Sequence, residues 1–309
     1  MRDNPFSGFI GAFKKQEIFP LLEFCFIYES LLRSKFLKIK EITSRQNSTV
    51  LWAASLAEKK YREKHSAFLV EGIKLVTEAL SSALPVTHIF LHEEKRDEYY
   101  AAIHDLCRGF DDGELEIFVL SAPCFEKIST EKAPQGVIAA VKYLDFFKRL
   151  DKINSDEVSS RAVFLSSVRD PQNLGAIIRS AAAFGTETVI LSEDSADIYH
   201  PRVLRSAMGS LFRLRVLTVS DEIETVRALR GAGRRVFAAE LREHACALSS
   251  LSLRSDDVFM IGNEGHGIAP SLSAECDGSV YIPISTGVES LNASVAASVL
   301  LWEQSKCKE

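Results

Sequence analysis

Apolar and polar positions switch between two periods along this chain, and the switches mark its elements. A helical spacing runs over Val50–Ala57, with Ser48 placed to cap it. The charged run Glu58–Lys64 reads as the end of that helix and a turn. Ala67–Glu71 has the short apolar form of a strand, and Gly72 opens a helix over Ile73–Leu80. Val86–Leu91 predicts a second strand, followed by a helix of mixed charge to about Arg108. Glu116–Leu120 and Gly136–Val141 predict two more strands, the last after the turn pair Ala133–Pro134. Strands alternating with helices make residues 41–142 a small layered α/β unit.

Periodicity fades over 143–160, where the chain turns polar, and this stretch reads as a linker. The α/β rhythm restarts at Arg161 and sets the bounds of a second unit, 161–309. Strands are expected at 162–166, 188–191, 213–217, 235–239, 258–261 and 280–282, and helices at 174–184, 201–210, 222–231 and 292–306. A largely parallel sheet between helix layers is the economical architecture. Val295, Val299 and Trp302 form the stripe that would dock the last helix. Residues 1–40 stand apart as an N-terminal extension. Their apolar core, Ile18–Leu32, is broken by Glu23 and Glu29 and lacks the basic start and small-residue cleavage site of a signal peptide. A helix without an assigned role is expected there.

Composition narrows the class of protein. A length of 309 residues suggests two domains, and 46% hydrophobic with 26% charged residues is ordinary for a soluble chain. No apolar run reaches the 18 residues of a membrane span, so no membrane association is expected. The six cysteines are scattered with no CxxC or Cys/His metal spacing, which points to reduced thiols, a cytoplasmic location and no bound metal. The formal charge of −5 does not itself suggest a nucleic-acid binder, but it is unevenly distributed. Residues 33–64 hold nine Lys/Arg against three Glu, and residues 202–235 hold eight Arg against three acids. Such stretches supply phosphate contacts, or else form solvated faces.

Three polar loops follow predicted strands, where open parallel sheets bind their ligands. In Asp170-Pro-Gln-Asn-Leu-Gly-Ala-Ile-Ile-Arg179, Asn173 sits at a helix start and is either a cap or a site residue. Arg179 reaches back to that start only if the chain there is not yet regular helix; otherwise it is a surface cation. In Gly262-Asn-Glu-Gly-His-Gly267 the glycines permit close backbone approach to a ligand. The loop is neither GxGxxG nor a P-loop, because Glu264 would repel phosphate and no Lys-Ser/Thr follows, which argues against a dehydrogenase. Glu264 fits a cationic or hydroxyl-rich ligand, or pins a neighbouring loop; His266 reads as a surface residue. In the third loop Ile282-Pro283 ends a strand, Gly287 turns, and Ser290 and Asn292 fall at the mouth of the last helix. Taken alone, that is also how a capped structural helix begins.

In order, the three loops resemble the motifs of the SpoU (TrmH-type) branch of the SPOUT RNA methyltransferases. Asp170-Pro-Gln-Asn-Leu-Gly with Arg179 resembles the first motif, Gly262-Asn-Glu-Gly-x-Gly267 the second, and Ile282-Pro-x4-Val-Glu-Ser-Leu-Asn292 the third. Phe68-Leu-Val-Glu-Gly72 resembles the branch's N-terminal RNA-binding domain, and the likeness covers roughly 41–305. The departures are mild: Ile284 where methionine is common, Thr286 where glycine is, and Ser180 where threonine is. The resemblance implies a small α/β domain, ribosomal protein L30e-like, ahead of a parallel-sheet domain with a C-terminal trefoil knot. It implies a homodimer that transfers methyl from S-adenosyl-L-methionine to a ribose 2′-hydroxyl of structured RNA, ribosomal or transfer. Carried over residue by residue, Gly262, Ile282 and Leu291 would bind the cofactor. Asn173, Arg179, Glu264, Ser290 and Asn292 would form the catalytic set. A non-catalytic RNA-binding protein on the same scaffold is the alternative.

Overall fold

The computed structural model describes residues 39–110, 114–151, 153 and 157–307. The helix expected within 1–40 lies outside the described residues up to 38. The sheet of the first unit begins earlier than the expected boundary, with β1 at Ile39–Ile42. The other strands are β2 (Ala67–Glu71), β3 (Val86–His92), β4 (Glu116–Leu120) and β5 (Val137–Lys142), in the order β1-β4-β3-β5-β2. β1, β4 and β3 are parallel neighbours, while β5 runs antiparallel to both β3 and β2. Helices α1 (Ser48–Ser55), α2 (Lys59–His65), α3 (Ile73–Ser81), α4 (Arg96–Cys107) and α5 (Ala122–Ile128) surround this sheet.

Two local expectations shift here. Asn47, not Ser48, caps α1, its side chain accepting from Thr49 N at 2.8 Å. The charged run is a separate helix, α2, ended by Ser66 in the left-handed conformation. At the β2–α3 turn Gly72 has φ +98°, a conformation glycine adopts without strain. Glycine has no side chain to cap α3, and Gln135 Oε1 accepts from Ile73 N at 3.1 Å instead.

The second unit has an eight-stranded sheet in the order β11-β13-β10-β12-β7-β8-β9-β6, with every neighbouring pair parallel. Its strands are β6 (Phe147–Leu150), β7 (Ala162–Leu165), β8 (Thr188–Ser192), β9 (Arg215–Val219), β10 (Val236–Ala239), β11 (Cys246–Ala247), β12 (Val258–Ile261) and β13 (Gly278–Tyr281). Every residue of β7, β8 and β12 is buried, as expected for parallel strands covered on both faces. The covering helices are α6 (Pro171–Ala183), α7 (Pro201–Ala207), α8 (Glu222–Gly231), α9 (Pro270–Ser273) and α10 (Ala293–Ser305). Gly175 lets α6 and α7 touch, since a Cβ there would lie 2.4 Å from Ser206 Cβ and 2.6 Å from the Val203 carbonyl. After β13 the chain turns back past β10 and β12, and α10 packs against α6 and β12.

The expected linker at 143–160 needs correction. Phe147–Leu150 is the edge strand β6 of the second sheet, in register with Val216–Val219 of β9. Lys148 and Arg149 point to solvent, so β6 carries no apolar alternation; only its backbone pairing makes it a strand. The two units also share one hydrophobic core. Tyr199 packs on Phe68 at 4.5 Å and stacks on Tyr143 at 4.2 Å between ring centroids, and its hydroxyl accepts from Leu144 N at 3.1 Å. Beside it Arg62 of α2, 2% exposed, donates to Asp197 Oδ2 at 2.5 Å and to the carbonyls of Leu56 and Ala57 at 2.9 and 2.7 Å.

The basic stretch 202–235 is not a free phosphate patch. Seven of its eight arginines bind protein groups: Arg205 pairs with Glu131, Arg213 with Glu78, Arg227 with Glu275, Arg230 with Asp277 and Arg235 with Asp257. Arg215 and Arg234 donate to backbone carbonyls. Counting cations in sequence misses this because the acids lie far along the chain.

Candidate active site

The three loops leave the carboxyl ends of β7, β12 and β13, on one edge of the parallel sheet. α6 begins at Pro171, and Asp170 caps it, Oδ1 accepting from Asn173 N at 2.7 Å. Asn173 is therefore not the cap, and its side chain is available for a tertiary contact. Asn292 caps α10, its Oδ1 accepting from Ser294 N, Ser294 Oγ and Val295 N at 2.9, 2.6 and 3.4 Å. That role fixes which end of the amide points away. Asn292 Nδ2 donates to Asn173 Oδ1 at 2.9 Å, and Asn173 Nδ2 in turn donates to Glu264 Oε1 at 3.0 Å. The same carboxylate oxygen accepts from Asp170 N at 3.3 Å. A directed chain of hydrogen bonds, Asn292 to Asn173 to Glu264, thus joins all three loops.

The second loop is held from within by Asn263, which the sequence reading did not single out. Its Oδ1 accepts from Gly265 N and His266 N at 2.9 and 3.1 Å, and its Nδ2 donates to the Ser167 carbonyl at 2.8 Å. An asparagine between glycines is a turn former, and that was the available signal. Asn263 and Gly267 bond in both directions, with Gly267 at φ +66°. A Cβ on Gly262 would strike Gly267 backbone atoms at 2.5 and 2.7 Å, so only glycine closes this turn undisturbed. Ile282 packs against the main core and Leu291 is half-buried.

Two expected site residues stand outside the chain of hydrogen bonds. Arg179 lies six residues beyond Asn173 on a regular helix, about 9 Å along its axis, so it does not reach back. It is exposed and makes no hydrogen bond or ion pair among the described residues; its neighbour Ser180 bonds Ser298 of α10 at 2.7 Å. Ser290 is exposed in the open segment 283–290 and likewise has no hydrogen-bond partner among the described residues. Ile284 and Val288 of that segment are 40% and 54% exposed.

The electrostatics favour a neutral or cationic ligand. The 262–268 and 282–292 segments carry Glu264 and Glu289 but no lysine or arginine. An edge with backbone groups, exposed apolar side chains and a carboxylate suits a cationic or hydroxyl-rich ligand and disfavours a polyphosphate. Beneath the first loop, burial raises the Asp194 carboxyl, but hydrogen bonds from Ser167, Arg169 and Ser192 outweigh it and bring it down to about 2. Burial pushes up the carboxyl of Glu222, at the start of α8. Among the described residues no cluster of His, Cys, Asp or Glu is arranged to hold a metal ion, and no helix is long and apolar enough to cross a membrane.

The fold and site define an α/β protein that gathers three polar loops at the carboxyl edge of a parallel sheet, with a smaller α/β domain sharing its core. Known proteins give that class a family. Residues 160–302 match the model of the SpoU rRNA Methylase family, and residues 47–139 match the MRM3-like substrate binding domain. The chain is 31% identical over 264 residues to the 23S rRNA (guanosine(2553)-2'-O)-methyltransferase RlmP of Bacillus subtilis (strain 168), covering 85% of this chain and 98% of that one. It is 30% identical over 274 residues to a 23S rRNA (uridine(2479)-2'-O)-methyltransferase of Streptomyces viridochromogenes, covering 85% and 91%. An AdoMet-bound rRNA methyltransferase from Sinorhizobium meliloti superposes with a TM-score of 0.72 at 27% identity over 86% of this chain and 97% of that one. The chain belongs to the SpoU rRNA methylase family. The trefoil knot expected at the C-terminus is implied by that shared fold.

Proposed function

We propose that this protein transfers a methyl group from S-adenosyl-L-methionine to a ribose 2′-hydroxyl of RNA, with ribosomal RNA the favoured substrate over transfer RNA. The observation that carries this reading is the hydrogen-bond chain Asn292–Asn173–Glu264, which ties the three loops into one wall. A protein that only bound RNA would not need three loops oriented against each other through an amide relay. S-adenosyl-L-methionine, when bound, supplies the electrophilic methyl group. Backbone groups near Gly262, Ile282 and Leu291 would hold it. Glu264 would keep the cofactor loops in place through its bonds to Asp170 N and Asn173.

The chain's own contribution is positioning. Asn173 and Ser290 orient the ribose, and Asn292 fixes Asn173. Holding the reacting atoms in line is worth several kcal/mol of barrier, about 7 or more in the best-oriented systems. Arg179 does not act as a base, because a guanidinium stays protonated at neutral pH. It holds a substrate phosphate or stabilises developing alkoxide charge. Deprotonation of the hydroxyl is then concerted with transfer or passes to phosphate or water.

Within one chain Arg179 does not meet the relay, and the neighbouring face of α10 leaves Val295 and Trp302 about half exposed, at 48% and 51%. This supports a homodimer in which a second copy covers α6 and α10 and the target site is completed at the contact. The test is methyl-label transfer to total RNA from a strain lacking the gene, with the modified ribose mapped. No transfer, or no S-adenosyl-L-methionine binding in calorimetry, sinks the reading. Near-full activity of Arg179→Lys would show that guanidinium geometry is not required. For the dimer, mixing Arg179→Ala with Asn173→Ala chains should recover activity that neither has alone.

A further inference from the structure

The segment Ser192–Ala196, at the carboxyl end of β8, contributes to none of the three motif loops, yet it grips the first of them at several points. Ser192 Oγ accepts from Ser167 N and donates to Asp194 Oδ1, each at 2.7 Å. Asp194 Oδ2 accepts from Ser167 Oγ at 2.6 Å and from Arg169 Nη2 at 2.8 Å. Ala196 N donates to the Val168 carbonyl at 2.9 Å. Ser167 is held at φ +55°, the left-handed region, which costs a residue with a Cβ about 1 kcal/mol or more unless neighbours stabilise it. In that conformation its carbonyl receives Nδ2 of Asn263 at 2.8 Å, and Asn263 shapes the loop that carries Gly262 and Glu264.

We propose that Asp194 is a positioning residue for methyl transfer, acting through Ser167 to hold the first and second motif loops in the arrangement that joins Glu264, Asn173 and Asn292. The proposal rests on the methyltransferase reading above. The carboxylate is suited to the task because both its oxygens accept from serines that belong to, or touch, the first loop. Its low pKa means that the brace stays ionised across the working range of an enzyme. An asparagine in its place would turn an amide donor toward the hydroxyl of either Ser167 or Ser192, and one side of the brace would be lost.

The experiment is steady-state methyl transfer by the full chain to ribosomal RNA from a strain lacking the gene, well below the melting temperature. Asp194→Asn is expected to lower kcat by roughly tenfold or more, since small misplacements of reacting groups are costly. KM for RNA should stay within about threefold. Ser167→Gly removes the left-handed penalty, so adding Asp194→Asn to it should lower kcat by less than about threefold. Arg169→Gln breaks only the exposed ion pair and should leave kcat within about threefold of wild type. An unchanged kcat in Asp194→Asn overturns the proposal, as does a loss confined to KM. So does an equal loss in the Ser167→Gly background, or a full loss in Arg169→Gln. Wild-type turnover and calorimetric binding of S-adenosyl-L-methionine are read first; if either is absent, the methyltransferase reading itself fails and this proposal falls with it.

Discussion

Replacing Arg62 with methionine tests how the two units are held together. The guanidinium is 2% exposed and is held by Asp197 and by two backbone carbonyls, those of Leu56 and Ala57. Methionine fills much of the volume but leaves Asp197, whose side chain is 17% exposed, without its counter-ion. Stranding one member of a buried pair costs about 3–5 kcal/mol. The double variant Arg62→Met/Asp197→Asn removes the stranded charge and should recover about 2 kcal/mol of that loss. Urea unfolding reads both domains, because the chain has two tryptophans, Trp52 on α1 and Trp302 on α10. Wild type should unfold in one step, since one core spans the units. Arg62→Met should lower the midpoint, and following Trp52 and Trp302 one at a time should separate the transitions. An unchanged midpoint, or a double variant no more stable than Arg62→Met, would refute the argument that Asp197 depends on Arg62.

Other expectations follow from the site and its surroundings. Asn173→Ala cuts the chain between Glu264 and Asn292, and should lower kcat by about a hundredfold while calorimetry finds S-adenosyl-L-methionine affinity nearly unchanged. Asn173→Asp should be no better, because it sets a carboxylate against Glu264. Gly262→Ala should cost about 1–3 kcal/mol in urea unfolding and abolish cofactor binding, because the new Cβ meets Gly267 backbone atoms. Asp194 is ionised more readily folded than unfolded, so its contribution to stability is present above about pH 4 and is lost as pH falls toward 2. The melting-temperature gap between wild type and Asp194→Asn should therefore narrow over that range, and a gap that stays constant would contradict the assignment. Burial pushes the Cys107 and Cys276 thiols up to about 12, so neither should react quickly with a thiol reagent at neutral pH in the folded protein.

Most elements were legible because their signals are local. Ala67–Glu71, Glu116–Leu120, Glu222–Gly231 and Val258–Ile261 lie where periodicity and flanking turns put them. β6 was not legible, because an exposed edge strand has no apolar alternation and exists through its pairing with β9. The helix after β7 starts at Pro171, three residues earlier than expected, because Asp170 is the better-placed cap. That shift changes a functional reading: it releases the Asn173 side chain from capping, while regular helix from Pro171 through Arg179 keeps Arg179 out of the relay.

By itself the sequence determined the α/β class, the three loops and the residue types within them, since turns, caps and periodicity depend on neighbours a few positions apart. Only the tertiary structure decided which of those residues act together. Asn173 meets Glu264 across 91 positions of sequence and Asn292 across 119. Those contacts exist because parallel strands bring distant carboxyl ends to one edge, where the capping of α10 sets the direction of every hydrogen bond that follows.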